Sequence, residues 1–327
     1  MVNRLTGMLV VLVVACCGWA AIAGEAAKAW TDPEAAAKDD PDFALQGEYA
    51  KAGEGLQVAA MGKGKFLTAT LKGGLPDAGW DGKSVTTATA DSEAVKKLIA
   101  AGWAKTERKI PNMGAKPPQG AVVLFDGSNA NEWDKAKITS DKLLQEGPQT
   151  VRKFKNFIMH VEFMLPYKPA ATLSGQDRGN SGVYIFNRYE VQILDTFGLH
   201  FYPNTHGEAS WAAAFQKELG YKQGSDRTQF CASMYHFRSP ALNAATPPLT
   251  WQTYDITFLA PKFEDGKKTA NARITLLWNG IKVHDGLDLP KGTGAGGNKP
   301  EVPSEAILLQ GHGNPVRFRN IWIVEQP

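Results

Sequence analysis

From Leu124 to Val324 the chain reads as one short strand after another, with almost no helical periodicity between them. Few architectures accept such a pattern. Asn156 to Leu165 alternates apolar and polar residues, as does Thr253 to Leu259, and a period of two sends successive side chains to opposite faces of a sheet. Ala272 to Trp278 and Ile281 to His284 flank Asn279-Gly280. An Asn-Gly pair between two apolar runs is the strongest short-range hairpin signal. Ser181 to Phe186 and Tyr189 to Leu194 make a second tight pair across Asn187-Arg188, and Ala306 to Gln310 and Val316 to Val324 close the chain. About eight strands in roughly 200 residues predict a two-sheet sandwich or jelly roll. The stretch from Leu199 to Pro248 breaks the pattern. It carries Trp211, Tyr221, Tyr235 and two adjacent prolines, and long loops on a rigid sandwich usually carry function.

The full length of 327 residues leaves room for a second unit. Pro117-Pro118-Gln119-Gly120 punctuates a boundary, which gives a sandwich over residues 118–327 and a small, mostly β accessory domain over 43–117. In the latter, Leu56 to Val58 and Lys65 to Leu71 read as strands around a Gly62-Lys63-Gly64 turn. Asp91 or Ser92 can cap a helix to about Ala100, with Gly102 ending it. Residues 24–42 are alanine-rich and charged, and read as a linker that forms a short helix or stays a tether.

Residues 1–23 read as a secretory signal peptide. Arg4 supplies the positive start, Leu9 to Ala15 is far shorter than the roughly 20 residues that span a bilayer, and Ala21-Ile22-Ala23 fits a cleavage site. Small residues before Cys16 also suit lipoprotein processing, so the expected location is periplasmic or extracellular, either free or tethered by a lipid on Cys16. No later segment is apolar enough to span a membrane. The net charge of +3 and the lack of a basic stripe exclude a nucleic-acid footprint. Of three cysteines only Cys231 lies beyond the leader, so packing rather than an internal disulfide must hold the cleaved chain together.

Tyr189-Glu190-Val191-Gln192-Ile193-Leu194-Asp195 carries the most chemical information. Alternation puts Glu190 and Gln192 on one face and Val191 and Ile193 on the other. A carboxylate on a strand needs a wet, paired or ligand-lined surface. Asp195 falls on the opposite parity unless a bulge turns it. The spacing resembles the paired acids of family 16 glycoside hydrolases, with Gln192 where that pattern has its middle acid, which weakens a two-carboxylate displacement. Glu190 and Asp195 can equally serve as structural partners of arginines. Just upstream, Asn180, Ser181 and Tyr184 stand among glycines and can bond hydroxyl groups. Downstream, Gln310 and His312 share a face in Leu309-Gln310-Gly311-His312-Gly313, and a histidine can move protons near neutral pH. In the last strand Phe318 lies on one parity and Ile321 and Ile323 on the other, which requires a bulge near Arg319-Asn320.

Taken as a set, Leu124-Phe125-Asp126-Gly127 with Trp133, Asn180-Ser181-Gly182, Tyr189 to Asp195, Trp251, Asn279-Gly280, and Leu309 to Gly313 leading into Val316 to Ile321 resemble the 3-keto-disaccharide hydrolase domain family. Cys231-Ala232-Ser233-Met234-Tyr235 departs from that pattern, where a glycine-containing turn is usual. The resemblance implies a concanavalin A-like jelly roll and an enzyme that cleaves glycosides oxidised at carbon 3, by removing the carbon-2 proton and eliminating the glycosidic oxygen. It implies Glu190 or His312 as base with Asp195 assisting, and Arg319 or a divalent metal ion at the enolate oxygen. Asn180, Tyr184, Gln192, Gln310, Tyr235 and Trp211 would bind the sugar. A non-catalytic lectin-like module and an ordinary glycosidase acting on unoxidised glucan are the alternatives.

Overall fold

The computed structural model describes residues 27–173, 175–200 and 227–327. The expected signal peptide with Cys16, and Trp211 and Tyr221, lie outside the described residues. The segment read as a linker is folded from Trp30 onward. Helices α1 (Pro33–Asp39) and α2 (Pro41–Leu45) each start with proline, and Asp32 and Asp40 cap them by accepting from the N–H groups of Ala35 and Asp42 at 2.7 and 3.0 Å. Trp30 exchanges two 2.9 Å backbone hydrogen bonds with Tyr167, so the segment is fastened to the sandwich. Strands β1 (Gly47–Lys51), β2 (Glu54–Gly62), β3 (Lys65–Lys72), β4 (Val85–Asp91) and β5 (Ala104–Thr106) form an antiparallel sheet in the order β4-β3-β2-β1-β5. Asp91 caps helix α3 (Ser92–Ala100). Among the described residues no helix is long and apolar enough to cross a membrane.

The rest is a jelly-roll sandwich. One sheet is built from β6 (Val122–Phe125), β10 (Asn156–Met164), β13 (Trp251–Leu259), β16 (Ala272–Trp278), β17 (Ile281–Leu289) and β19 (Arg317–Gln326), in the order β17-β16-β13-β10-β19-β6, with β8 (Leu144–Gln145) also paired to β19. The other is built from β7 (Trp133–Asp134), β9 (Gln149–Thr150), β11 (Ser181–Ile185), β12 (Tyr189–Ile193) and β18 (Ile307–Leu309), in the order β12-β11-β18-β9-β7. A small ribbon pairs β14 (Lys262–Glu264) with β15 (Lys267–Ala270). Alternation packs Phe157, Met159, Val161 and Phe163 of β10 and Tyr254, Ile256 and Phe258 of β13 toward Val183, Ile185, Val191, Ile193 and Leu309 of the smaller sheet, all buried. Asn279 and Gly280 have φ of 53° and 81°, as a two-residue hairpin turn of that twist demands.

The two units share their packing. Ala59 and Leu67 of the first sheet belong to the sandwich core, while Tyr167 and Leu249 of the sandwich belong to the core of the first unit. Arg108, paired with buried Glu48 at 2.8 Å, reaches across to the carbonyls of Ala244 and Ala245.

The bulge required by the parity of β19 lies at Asn320, whose φ is 44°. Phe318 and Ile321 both enter the core, and Arg319 and Asn320 both turn to the outer face of the larger sheet. There they hold Glu162, at 2.6 and 2.8 Å. The segment Pro111–Ala115 runs over this face as a strap. Gly114 N–H donates to Glu162, Asn112 bonds Asp255, and the carbonyl of Ala115 accepts from Asn320 and Trp322. Buried His160 stacks on Trp322 and bonds Asp255 at 2.6 Å. Burial pushes the His160 imidazolium down, but the bonds and charges of Asp255 and Glu162 outweigh it and hold its pKa up at about 9. Burial pushes Glu162 up, and His160, Asn320, Arg319 and Gly114 together bring it down to about 2.

These shifts have signs that can be tested. The His160 contribution is complete below its ordinary value of 6.5 and is lost as pH rises through about 9. The Glu162 contribution is complete above 4.5 and is lost as pH falls through about 2. The unfolding free energy from urea titration should therefore decline between pH 6.5 and 9, by at most about 3 kcal/mol from His160, and His160→Gln should flatten that part of the curve. Parallel curves for the two proteins above pH 6.5 would refute this account of the strap.

Candidate active site

Glu190 lies on the outer face of the smaller sheet, with its neighbours Tyr189 and Val191 committed to the core. It is almost fully buried, and its carboxyl group is flanked by two glycines. A Cβ on Gly182 would come within 3.0 Å of Glu190 Oε1, and one on Gly294 within 2.9 Å of Oε2. Tyr184, its direct partner across the β11–β12 pair, donates its hydroxyl to Oε2 at 2.5 Å. Oε2 is thus occupied and Oε1 faces the bare backbone of Gly182. Burial raises the Glu190 pKa, which the Tyr184 hydrogen bond lowers only in part, and it settles at about 7. Tyr184 is itself pushed above its ordinary value, by burial and then by Glu190, so it remains a hydrogen-bond donor.

The backbone around Glu190 is held from two sides. Its N–H donates to Thr293 Oγ1 at 2.8 Å, and its carbonyl accepts from Tyr235 N–H at 3.1 Å. The long loop therefore lies along β12 through residues 232–235, where Gln192 N–H also donates to the Ser233 carbonyl and the Gln192 carbonyl accepts from Ala232 N–H. The Tyr235 ring stands against Gly294, whose φ of 50° and 2.4 Å clearance exclude a side chain.

A chain of amides extends the site along β11. Ile193 N–H donates to Gln192 Oε1, which leaves Gln192 Nε2 to donate to Gln176 Oε1 and the Gln229 carbonyl. Gln176 Oε1 also accepts from Asn180 Nδ2 at 2.9 Å. One backbone N–H thereby fixes the direction of all these amides. Among the described residues Asn180 Oδ1 is left as a buried acceptor with no donor, and Gln310 Oε1 has none either.

The structure brings together Glu190, Tyr184, Gln192, Asn180, Gln310 and Tyr235, and leaves three expected residues apart from them. Arg319 does not reach this face. It lies on the outer face of the opposite sheet, with the core between, bonded to Glu162 and stacked on Trp251. The bulge that turns it outward serves the strap. Asp195 is committed to a buried pair with Arg178 at 2.8 Å, and its other oxygen accepts from Phe197 N–H. It is the structural partner that the sequence also allowed. His312 is exposed past the end of β18, and its ring makes no hydrogen bond among the described residues. Thr293, Gly294 and Gln176 were missed from the sequence. The signal for the first two was the glycine run Gly292 to Gly297, which carries no chemistry of its own; Gln176 gave none. Among the described residues no three His, Cys, Asp or Glu side chains stand together to hold a metal ion. A cleft of about 980 Å³ between the first unit and the larger sheet, lined by Gln46, Lys105 and Trp251 among others, contains none of the Glu190 group.

The jelly roll buries a protonatable carboxyl group among a phenol, amides and bare glycine backbone, and its family match makes it a glycosyl hydrolase-like, carbohydrate-active protein. Residues 120–324 match the family model of the 3-keto-α-glucoside-1,2-lyase-like domain, and the chain belongs to that family. Solved structures similar to it include three described as candidate glycosyl hydrolases from Parabacteroides distasonis ATCC 8503. One is 27% identical with a TM-score of 0.49, covering 64% of this chain and 85% of its own. A second is 17% identical with a TM-score of 0.43, covering 64% and 95%. The third is 20% identical with a TM-score of 0.39, covering 63% and 99%. No curated protein matches.

The burial of Glu190 has a measurable consequence for stability. The folded protein keeps this proton up to about pH 7 and the unfolded chain only to about 4.5, so stability falls as pH rises through that window. Glu190→Gln removes the penalty. It should raise the melting temperature at pH 8 and change it little at pH 4, a difference worth up to about 3 kcal/mol. An equal effect at both values would show that the carboxyl group pays no such cost.

Proposed function

We propose that this protein cleaves 3-keto-glycosides by elimination, with Glu190 as the base. The observation that carries the reading is the state of its carboxyl group: one oxygen held by Tyr184, the other facing the bare backbone of Gly182, and a pKa raised by burial to about 7. A ketone at carbon 3 acidifies the carbon-2 proton. Glu190 Oε1 takes that proton, and the C2–H electron pair moves toward the ketone to give an enolate. The enolate re-forms the ketone as a carbon-1–carbon-2 double bond appears and the carbon-1–oxygen bond breaks. The leaving oxygen takes a proton, for which protonated Glu190, linked to Tyr184, is the nearest source. Water then adds across the double bond, hydroxyl to carbon 1 and hydrogen to carbon 2, so the net result is hydrolysis. A base is most effective when its pKa lies near the working pH, and this is where burial puts Glu190.

The engagement of Asp195 supports elimination over an ordinary glycosidase reaction. Double displacement needs a second carboxylate about 5 Å from the first, and the nearest sequence candidate is tied to Arg178. Arg319 has no part in this scheme. His312, exposed two residues beyond Gln310, has no part in it either.

Purified protein should cleave a 3-keto-glucoside and spare its unoxidised parent. The rate should rise with pH up to about 7 and then level, because the ionised carboxylate is the active form. Glu190→Gln should lower it by about 100- to 10,000-fold. In deuterated water the released sugar, quenched early, should carry deuterium on carbon 2. Cleavage without deuterium would favour direct displacement, and equal cleavage of both substrates would remove the role of the ketone.

A further inference from the structure

The two unpartnered oxygens beside Glu190 constrain the substrate further. Gly182 and Tyr184 share the outer face of β11, with Glu190 on the strand to one side. Gln310 lies on the other side, donating its N–H to the Gly182 carbonyl at 2.8 Å. The place where a Cβ on Gly182 would stand is 3.0 Å from Glu190 Oε1 and 3.4 Å from Gln310 Oε1. Asn180 lies one residue before the start of that strand. The reactive oxygen thus has one amide oxygen, that of Gln310, across Gly182, and a second, that of Asn180, near the start of the strand, both without a donor among the described residues. A buried acceptor without a partner costs free energy, and that cost is recovered when a ligand supplies the donor. A ketone oxygen has no hydrogen to give, whereas a hydroxyl has one.

We propose that Asn180 and Gln310 are specificity-determining residues, each accepting a hydrogen bond from one of the two hydroxyls that flank the ketone, on carbons 2 and 4. This rests on the elimination reading above. It also goes further, because it names which substituents the sugar must carry and excludes analogues that lack them. The elimination itself needs neither hydroxyl, since carbon 2 keeps an acidic hydrogen in the 2-deoxy sugar and the 4-position takes no part. Deoxy analogues thus separate recognition from chemistry.

The test compares kcat/KM of the full chain on a 3-keto-glucoside and on its 2-deoxy and 4-deoxy counterparts, in the wild type and in Gln310→Met and Asn180→Leu. Sites built to bond a hydroxyl reject analogues lacking it strongly, so the wild type should prefer the parent by on the order of 100-fold or more at each position. Each variant should lose its preference at one position and keep it at the other. Gln310 is only half-buried and its side chain holds no other group among the described residues, so its variant tests the idea even if Asn180→Leu unfolds. Wild-type preferences retained in Gln310→Met, or no preference in the wild type, would overturn the inference and leave the elimination intact. If no 3-keto-glycoside is cleaved, the elimination reading falls. The same three sugars are then compared by calorimetry: tighter binding of the parent that disappears in the variants upholds hydroxyl reading, and equal binding or none overturns it.

Discussion

The arrangement of this protein depends on one guanidinium group. Arg178 is buried with every donor nitrogen engaged: Nε with Asp195, Nη1 with the carbonyls of Lys168, Pro169 and Ala171, and Nη2 with the carbonyl of Ala60 in the first unit. Asp195 is two residues past the end of β12, and Arg178 itself is three residues before β11. One group thus fixes the start of one strand and the end of its neighbour, the two strands that carry Asn180, Tyr184, Glu190 and Gln192. An ion pair taken out of water costs several kcal/mol and is repaid only when its remaining hydrogen-bonding capacity is met. The four carbonyls meet it.

That anchoring lets a carboxyl group be placed where it does not want to ionise. Burial alone would keep Glu190 neutral well above its ordinary range, and the Tyr184 hydroxyl draws it partly back, to about 7. Neither a fully wet carboxylate nor a fully apolar one would be poised to give and take a proton near neutrality. The glycines at positions 182 and 294 contribute by what they lack, since a single methyl group at either would crowd a carboxylate oxygen.

Much of the fold was legible in the sequence because it obeys local rules. Alternation assigned the faces of β10, β12 and β13, the Asn279-Gly280 turn closed its hairpin, and the parity of Phe318 against Ile321 revealed a bulge. The members of the Glu190 group were visible too, as polar residues on strands whose other face is apolar. What the sequence hid was partnership. Arg319 meets Glu162 from 157 positions away, and nothing in either neighbourhood announces it. The bulge could be inferred, but not the face it would serve. Asp195 could be a catalyst or a counterion by spacing alone, and only the position of Arg178 decides. Likewise the alanine-rich start looked like a tether because its few large residues, Trp30 and Phe43, find their contacts against Tyr167, far along the chain.

The Ala60 carbonyl has a consequence for ancestry. Because the first unit supplies an acceptor to Arg178 and places Ala59 and Leu67 in the sandwich core, the two parts cannot be shuffled as independent modules. A gene that lost the first segment would leave a buried donor unmet and a hole in the core at the same stroke. A sandwich of this kind that stands alone must carry other residues opposite the arginine, and those compensating changes should mark where the lineages parted.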